Sequence, residues 1–244
     1  KAIEVKPTWK IYLNYAISLY NNMKSEDAKK MLQKAVYIAN KEHTTNRLDR
    51  NILDASLKSI DFPKAKLMNT KFDKLVLNKP VENNLIKYLY SLKKVELNNL
   101  NDARFGKGKG SENFELFYDT SPIIKDLYSH LKDLCKQALN INEIFLSGSF
   151  FNIFISGSGA KPHQHLNKID NQFNLSSNKY SLVYYLDIGD QSGEDPGILK
   201  LYGPDENILP EKGMIVIINA GRRHSASYRG TKDRVMVGFN FYGF

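Results

Sequence analysis

Apolar residues recur at helical spacing through the first forty positions of the chain. Between Pro7 and about Asn40 they occur at every third or fourth position in two runs, Tyr12, Tyr15, Ala16, Leu19 and Tyr20, then Ala28, Leu32, Ala35 and Val36. Ser25 lies between the runs and is a residue type that caps helix starts. The pattern predicts a helical hairpin with Ser25 as the N-cap of its second helix.

Small residues in this hairpin match the spacing of one tetratricopeptide repeat. The match is a small–small–large–small spacing at Ala16, Ala28, Leu32 and Ala35, in which the small side chains let two helices approach closely. Because one repeat cannot bury its own apolar face, two interpretations stay open. The hairpin is either the end of an array that continues upstream or a helical pair packed on the domain behind it. We expect a helical segment over 1–66 and a second domain over 67–244.

The middle of the chain carries mixed signals. Leu53–Ile60 is a weak helix, ended by Pro63. Phe72–Leu77 is apolar enough for a strand, and apolar residues at helical spacing over Asn83–Leu97 predict a helix. The glycine- and lysine-rich Gly106–Ser111 predicts a mobile loop.

An amphipathic helix is predicted next. Ser121–Pro122 favours its start, because proline is preferred at the first helical position. An apolar stripe follows at helical spacing, and Asn140 ends it.

From Ile144 onward the pattern changes to short β-rich runs separated by Gly, Pro and Asp. The runs are Phe145–Ser149, Phe151–Ile155, Tyr180–Asp187, Ile198–Tyr202, Met214–Asn219 and Val235–Phe241. Many short strands with turn signals between them favour a sandwich or barrel. The polar residues 166–179 predict a long loop beside a substrate cleft. The whole chain is therefore expected to be α+β.

Composition adds little to this picture. Of 244 residues, 42% are hydrophobic and 25% charged, which is ordinary for a globular protein. No apolar run approaches the roughly 18 residues of a membrane span, so none is expected. Cys135 is the single cysteine and cannot form an internal disulfide, which favours a reducing compartment and a cytoplasmic location. The chain begins at Lys1 without a methionine, which leaves a preceding segment open.

The net charge of +9 is concentrated in the first hundred residues, which hold 19 of the 35 basic and 10 of the 26 acidic side chains. These lysines are scattered, and the only arginines among them are Arg47 and Arg50. Scattered lysines favour a solvated helical surface, so nucleic-acid binding is not predicted. A protein partner bound through the N-terminal helices is the remaining expectation.

Three of the five histidines form the strongest chemical signal. His163 and His165 stand two residues apart, so on an extended strand they project from one face. His224 from a distant strand would complete a three-ligand site with open positions, as in non-haem iron oxygenases and catalytic zinc sites. Asn167 and Asp170 are reserve ligands if His165 points elsewhere. Imidazoles suit Fe(II), Zn and Cu about equally, and three unrelated surface histidines are the other interpretation.

Arg234 lies ten residues beyond the last of these histidines. Its planar guanidinium can meet a carboxylate through two hydrogen bonds. On a strand it shares a face with Met236, Gly238 and Asn240, and Gly238 would leave space for a ligand. The alternative is a surface arginine paired with Asp233.

In their order and spacing, these pieces resemble the double-stranded β-helix of 2-oxoglutarate- and Fe(II)-dependent oxygenases, particularly a set related to prolyl hydroxylases. The matching pieces are Phe151–Phe154, Pro162–His165, Ser181–Leu186, Gly197–Leu199, Pro210–Gly213, His224–Ser225, Arg234 and Gly238–Asn240. The resemblance covers about 144–244. The superfamily usually has His-x-Asp/Glu as its first motif. This chain has His165 in the carboxylate position, although His-x-His occurs in the subfamily it resembles.

The resemblance implies a C-terminal jelly roll buttressed by helices, with Fe(II) bound by His163, His165 and His224. It also implies 2-oxoglutarate and O2 as co-substrates. The reaction would be hydroxylation of a peptidyl side chain or a small molecule, with release of succinate and CO2.

For co-substrate binding the resemblance implies Arg234, which would hold the far carboxylate of 2-oxoglutarate. One of Tyr184 and Tyr185 would assist it, since neighbouring residues on a strand face opposite sides. Asn152 and Ser227 are weaker candidates.

A cupin-like protein that does not use 2-oxoglutarate is the main alternative. The spacing from Gly157 to His165 fits the first cupin motif up to its glutamate, and that from Gly213 to His224 fits much of the second. No glutamate follows at the expected interval, Asn219 stands where a proline belongs, and Arg234 is left unexplained. A third interpretation is a non-catalytic helical module with a degenerate barrel, which would bind no metal.

Overall fold

The computed structural model describes residues 8–42, 45–61, 73–97, 107–191 and 193–244. Within these ranges the helices are α1 (Trp9–Asn21), α2 (Ser25–Lys41), α3 (Arg47–Asp61), α4 (Asn83–Ser91), α5 (Pro122–Leu139) and α6 (Lys168–Gln172). The strands are β1 (Lys74–Asn78), β2 (Lys94–Glu96), β3 (Lys109–Ser111), β4 (Ile144–Phe154), β5 (Ser158–His163), β6 (Lys179–Asp187), β7 (Pro196–Leu201), β8 (Glu206–Ile208), β9 (Met214–Asn219), β10 (His224–Tyr228) and β11 (Arg234–Gly243).

The strands form two antiparallel sheets that line one cavity between them. The larger sheet has the order β1-β9-β6-β11-β4-β3-β2, and the smaller has the order β5-β10-β7-β8. From β4 onward the chain crosses repeatedly from one sheet to the other. This is the topology of a double-stranded β-helix, or jelly roll, and it confirms the predicted α+β class.

Strand β11 explains how one sheet serves both the core and the site. Its odd-numbered positions pack against α4 and α5 in the main core, namely Val235, Val237, Phe239 and Phe241. Its even-numbered positions face the other way, towards the smaller sheet, namely Arg234, Met236, Gly238 and Asn240. Because side chains alternate along the strand, the residues that pack in the main core are separated from those that face the smaller sheet and the site.

The predicted N-terminal hairpin is confirmed as α1 and α2, and α3 follows it. The three helices share a buried cluster with Phe173, Leu175, Tyr242 and Phe244 of the β-rich part. The hairpin therefore packs on the domain behind it, and its tetratricopeptide character stays a prediction. The capping prediction is wrong, because Ser25 is the first helical residue and no side chain caps this helix.

Several sequence predictions fail where tertiary pairing overrides local pattern. The helix predicted over Asn83–Leu97 ends at Ser91, and Lys94–Glu96 pairs with β3 at the sheet edge. Gly106 lies outside the described residues. Lys109–Ser111 is a strand between β2 and β4, so the prediction of a mobile loop is wrong for that part.

The β-rich core also differs from the expected boundaries. Strands β1 to β3 join the larger sheet from outside 144–244. The two strands predicted on either side of Phe150 are one strand, β4, with a register shift opposite Asn240 and Phe241. Pro63 and Phe72 lie outside the described residues, and the domain boundary at 66/67 stays a prediction.

The predicted cleft loop at 166–179 is a folded segment with a buried polar centre. It contains α6 and a 3-10 turn at Leu175–Ser177. The Asp170 carboxylate pairs with Lys179 at 2.8 Å and accepts a hydrogen bond from the Tyr242 hydroxyl at 2.7 Å. Burial lowers the pKa of Lys179, and Asp170 opposes that shift.

Among the described residues, no helix combines the length and apolar character needed to cross a bilayer.

Cys135 is expected to be unreactive in the folded protein. It is fully buried on α5, and burial raises the pKa of its thiol to about 12. At pH 8 only about one thiol in ten thousand would be a thiolate, the reactive form. A chromogenic disulfide reagent should therefore label Cys135 only as fast as the protein unfolds. Rapid stoichiometric labelling without urea, matching that in concentrated urea, would contradict this placement.

Candidate metal centre

Two of the three histidines meet because their strands pair directly. His163 ends β5 and His224 begins β10, and the two are Cα partners across antiparallel strands. Their ring centroids lie 4.4 Å apart. His165 lies beyond the end of β5, where its backbone N–H donates to the Ala220 carbonyl at 2.8 Å. Its ring centroid lies 5.0 Å from each of the other two.

The three imidazoles offer ring nitrogens to one point. One ligand atom from each lies within 4.8 Å of the others, and Nε2 of His165 is 3.2 Å from Nε2 of His224. Nδ1 of His163 lies 2.7 Å from the Lys161 carbonyl, and Nδ1 of His224 lies 3.0 Å from the Arg222 carbonyl. Because a carbonyl can only accept, Nδ1 carries the proton in both rings and Nε2 keeps its lone pair. Backbone carbonyls orient metal-binding histidines in this way.

His224 is held in the neutral form that a metal requires. Burial, followed by the electrostatic effect of His163, lowers its pKa to about 4, and the hydrogen bond to the Arg222 carbonyl opposes this. The reserve ligands do not take part. Asp170 is held by Lys179 and Tyr242, and Asn167 caps α6 through a reciprocal capping box with Asp170. Within the described part of the chain, the cluster consists of histidines without a carboxylate.

A cavity of about 110 Å³ adjoins the histidines, and both sheets line it. Its polar lining beyond the histidines comes from Asn152, Ser181, Ser225 and Tyr185, and the rest is apolar. Phe114 and Phe150 form an edge-to-face pair on one wall, with centroids 5.7 Å apart. The space expected beside Gly238 is filled, since a Cβ there would lie 2.5 Å from the Phe150 ring. Gly238 therefore admits an aromatic ring and does not leave space for a ligand.

The two tyrosines separate as strand alternation requires. Tyr185 lines the cavity, whereas Tyr184 faces the helices and donates to the Lys79 and Pro80 carbonyls at 3.2 and 3.0 Å. Burial raises the pKa of Tyr185, and the neighbouring Arg234 opposes that shift. Within the described ranges the Tyr185 hydroxyl makes no hydrogen bond.

The two weaker candidates for the pocket, Asn152 and Ser227, lie in different places. Asn152 is 7% exposed and lines the cavity. Ser227 is exposed on the outer side of β10, away from the cavity, so its predicted pocket position is wrong. Ser225 is the serine of β10 that reaches the cavity.

Arg234 points inward and is 1% exposed. Its guanidinium donates to the carbonyls of Ile188, Pro196 and Gly197 at 3.3, 2.6 and 2.6 Å. It lies over the Tyr228 ring at 4.5 Å and 6.0 Å from the Tyr185 ring centroid. Burial lowers its pKa.

No carboxylate among the described residues pairs with Arg234. The alternative partner, Asp233, instead accepts a hydrogen bond from the Tyr90 hydroxyl at 2.6 Å, so the surface-pair interpretation is wrong. The guanidinium does not itself reach the cavity wall, which Tyr185 and Met236 form nearby. It remains a buried cation beside the cavity, bonded to neutral carbonyls alone.

Sequence patterns missed the aromatic pair at the cavity. Phe114 lies in an irregular segment outside both sheets, where no periodicity marks a burial face. Phe150 is followed directly by Phe151, so hydrophobicity does not alternate there and cannot distinguish the cavity face from the core face.

No family model and no curated protein matches the sequence. Solved structures do match the fold. A viral collagen prolyl hydroxylase from Paramecium bursaria Chlorella virus-1, solved as its 2-oxoglutarate complex, is 9% identical with a TM-score of 0.52. That match covers 70% of this chain and 97% of the viral one.

Two further structures show the same fold. A prolyl hydroxylase from Trichoplax adhaerens, in complex with a peptide fragment of the hypoxia inducible factor oxygen degradation domain, is 14% identical with a TM-score of 0.50. That match covers 78% of this chain and 90% of that one. HygX from Streptomyces hygroscopicus, with nickel and 2-oxoglutarate bound, is 12% identical with a TM-score of 0.52. That match covers 70% of this chain and 83% of HygX.

The fold of this chain is therefore the double-stranded β-helix found in 2-oxoglutarate- and Fe(II)-dependent oxygenases. Prolyl hydroxylases are among the proteins that share it, as the sequence resemblance implied.

Proposed function

We propose that this protein is an Fe(II)- and 2-oxoglutarate-dependent dioxygenase that hydroxylates a substrate and releases succinate and CO2. The observation that carries the proposal is the convergence of His163, His165 and His224, with Nδ1 of two rings bound to carbonyls. The fold supports it, because solved proteins with this fold bind 2-oxoglutarate.

The three histidines would hold the iron. Their donor atoms are imidazole nitrogens, which suit Fe(II), and fewer than six ligands leave positions for co-substrates. Three neutral ligands contribute no negative charge, so an anionic co-substrate offsets the charge of the ion. When bound, the iron with 2-oxoglutarate and O2 supplies the oxidising chemistry. The chain orients the ligands and excludes water with the apolar wall of the cavity.

Arg234, Tyr185 and Asn152 are proposed to bind the co-substrate. A buried cation is costly unless an anion pairs with it, and three carbonyl oxygens offset that cost only in part. A dicarboxylate reaching from the histidines along β11 would supply the anion, and the unpaired Tyr185 hydroxyl would donate to it. Since the guanidinium lies behind the cavity wall, binding requires the Tyr185 side chain to move.

The substrate is proposed to be a peptidyl side chain or a small molecule with an apolar group at the reacting carbon. The lining of Phe114, Phe150 and Leu182 supports an apolar group. A solved protein with this fold holds a peptide. A protein partner at the N-terminal helices and a cytoplasmic location are part of the same proposal, and nucleic-acid binding is not.

Anaerobic titration of 2-oxoglutarate into the Fe(II)-loaded protein tests the function. We expect a visible charge-transfer band on adding 2-oxoglutarate, and succinate formation once O2 is admitted. A cupin-like protein would bind the metal and ignore 2-oxoglutarate, and a non-catalytic module would bind no metal. Either result would overturn the proposal.

Tyr185→Phe is expected to raise the KM for 2-oxoglutarate several-fold, because one neutral hydrogen bond contributes about 1 kcal/mol. Tyr184→Phe is the matched control, since its hydroxyl bonds to Lys79 and Pro80 on the helix side. It should lower the unfolding free energy by about 1 kcal/mol and leave KM unchanged. Succinate assays at varied 2-oxoglutarate would check both. Equal KM for the two variants would remove Tyr185 from the site.

A further inference from the structure

The connection between β9 and β10 contributes a backbone carbonyl to two of the three histidines. The Ala220 carbonyl accepts the backbone N–H of His165 at 2.8 Å. The Arg222 carbonyl lies 3.0 Å from Nδ1 of His224. His163 is in turn the Cα partner of His224 on the neighbouring strand. One short connection therefore contacts the backbone of one proposed ligand and the ring of another.

The side chain of Asn219, the last residue of β9, closes this connection into a turn. Its Oδ1 accepts the Gly221 N–H at 2.8 Å, and its amide nitrogen donates to the Ser176 carbonyl at 2.9 Å. Because one partner can only donate and the other can only accept, the orientation of the amide is fixed. The Asn219 backbone carbonyl also accepts the Arg222 N–H at 2.9 Å. Asn219 therefore holds the turn together and anchors it to the 3-10 turn at Leu175–Ser177.

Asn219 and His165 bind the same peptide group from opposite sides. The Ala220 carbonyl and the Gly221 N–H belong to one peptide unit, which is planar and directs the two groups in opposite directions. The carbonyl accepts from His165, and the N–H donates to Asn219. A rotation of this peptide unit would therefore break both hydrogen bonds together. The Asn219 side chain limits that rotation, and with it the movement of the His165 backbone.

We propose that Asn219 is a positioning residue for the metal centre, because its side chain fixes the peptide unit that holds His165 among the three ligands. The inference rests on the proposed function, since it takes His165 to be a metal ligand. Distances from ligand atoms to a metal must be correct to within about 0.2 Å, so a backbone shift at His165 would lower metal affinity. The sequence marked Asn219 only as a departure from the cupin motif, in which a proline belongs. Proline has no side-chain acceptor and could not bind the Gly221 N–H.

Substitutions at Asn219 test the role through Co(II) affinity, measured by calorimetry. Asn219→Ala removes both side-chain bonds and should weaken Co(II) binding about tenfold, the lower end of the effect of losing a group that orients a ligand. Asn219→Asp also loses the donor to Ser176 but keeps an acceptor for the Gly221 N–H, so its affinity should stay within about threefold of the unchanged protein. Asn219→Ser adds no charge and keeps a weaker acceptor, so it should lie between the other two variants.

Asn178→Ala is the matched control. Asn178 is a buried asparagine whose amide donates to the Gly243 carbonyl at 3.0 Å and not to the β9–β10 connection. Its replacement should lower the free energy of unfolding in urea, as Asn219→Ala does, and leave Co(II) affinity unchanged. An equal loss of Co(II) affinity in the two alanine variants would mean that general destabilisation explains the effect, and the inference would be overturned.

Amide hydrogen exchange in the metal-free protein reports the peptide contact directly. In the unchanged protein the amides of His165 and Gly221 should both be protected. In Asn219→Ala the His165 amide should exchange about fivefold faster, the factor for one hydrogen bond, after correction for global stability. In Asn219→Asp and Asn178→Ala its corrected rate should not change.

Three results would overturn the inference. They are an unprotected Gly221 amide in the unchanged protein, an unaltered His165 exchange rate in Asn219→Ala, and Co(II) affinity in Asn219→Ala equal to that of the unchanged protein. The first needs no variant, so it holds even where a substitution prevents folding. Failure of the unchanged protein to bind Co(II) would instead overturn the proposed function, and the exchange rates would still decide whether Asn219 positions His165.

Discussion

Replacing His224 with alanine is expected to lower the affinity for Co(II) at least 100-fold and to abolish 2-oxoglutarate-dependent succinate formation. His224 is the Cα partner of His163, and its Nε2 lies 3.2 Å from Nε2 of His165. It therefore contacts both of the other proposed ligands. Losing a group that only orients a ligand lowers metal affinity about 10- to 100-fold, so losing the ligand itself should lower it at least as much. Calorimetric titration of Co(II) and a succinate assay would measure the two effects.

His130→Ala is the matched control for this change. His130 is an exposed histidine on α5, away from the cluster, so metal affinity and turnover should not change. Folding is checked by circular dichroism in both variants. If His224→Ala keeps its Co(II) affinity within threefold while folded, the three-histidine centre is not the metal site.

Replacing Gly197 with alanine is expected to destabilise the fold by at least about 4 kcal/mol and to weaken 2-oxoglutarate binding. Gly197 has φ +86, and a Cβ there would overlap the guanidinium of Arg234. The left-handed backbone costs alanine roughly 1–2 kcal/mol. Displacing the guanidinium then breaks its bonds to the carbonyls of Pro196 and Gly197, and each hydrogen bond to a charged group contributes about 1.5–3 kcal/mol. Urea unfolding and 2-oxoglutarate titration would measure both effects.

Gly193→Ala separates backbone strain from the collision. Gly193 has φ +94 in the connection between β6 and β7, just before the strand that contains Gly197. No atom of the described residues lies within 4 Å of the position of its Cβ. Its unfolding free energy should therefore fall only by the roughly 1–2 kcal/mol that backbone strain costs, and its 2-oxoglutarate affinity should not change. Equal losses in the two variants would show that Arg234 is not locked by Gly197.

The elements that the sequence predicted best are those whose signal is local. The amphipathic helix after Ser121–Pro122 is α5, and it ends at Asn140 in the left-handed conformation. The run Met214–Asn219 is a strand with those bounds, because an apolar segment between turn signals needs no distant partner to be recognised.

The histidine cluster was predicted correctly for a reason that is partly wrong. His163 and His165 were expected to share a strand face, but β5 ends at His163. The backbone bond from His165 to Ala220 places the second ring, and no periodicity reveals such a bond. Tertiary contacts of this kind, like the pairing of Lys94–Glu96 with β3, depend on residues far apart in the chain and leave no local pattern.

The position of Phe114 makes it a suitable site for redesigning the substrate preference of the proposed enzyme. Apart from His165, it is the one cavity-lining residue in the described structure that belongs to neither sheet. Strand residues such as Met236 are fixed by their register, because a slip of one residue reverses every side chain. Phe114 is held through its backbone carbonyl, which accepts from the Ser149 N–H at 2.8 Å, so its side chain can be varied without altering that bond. A library at this position could therefore change selectivity while leaving both sheets intact.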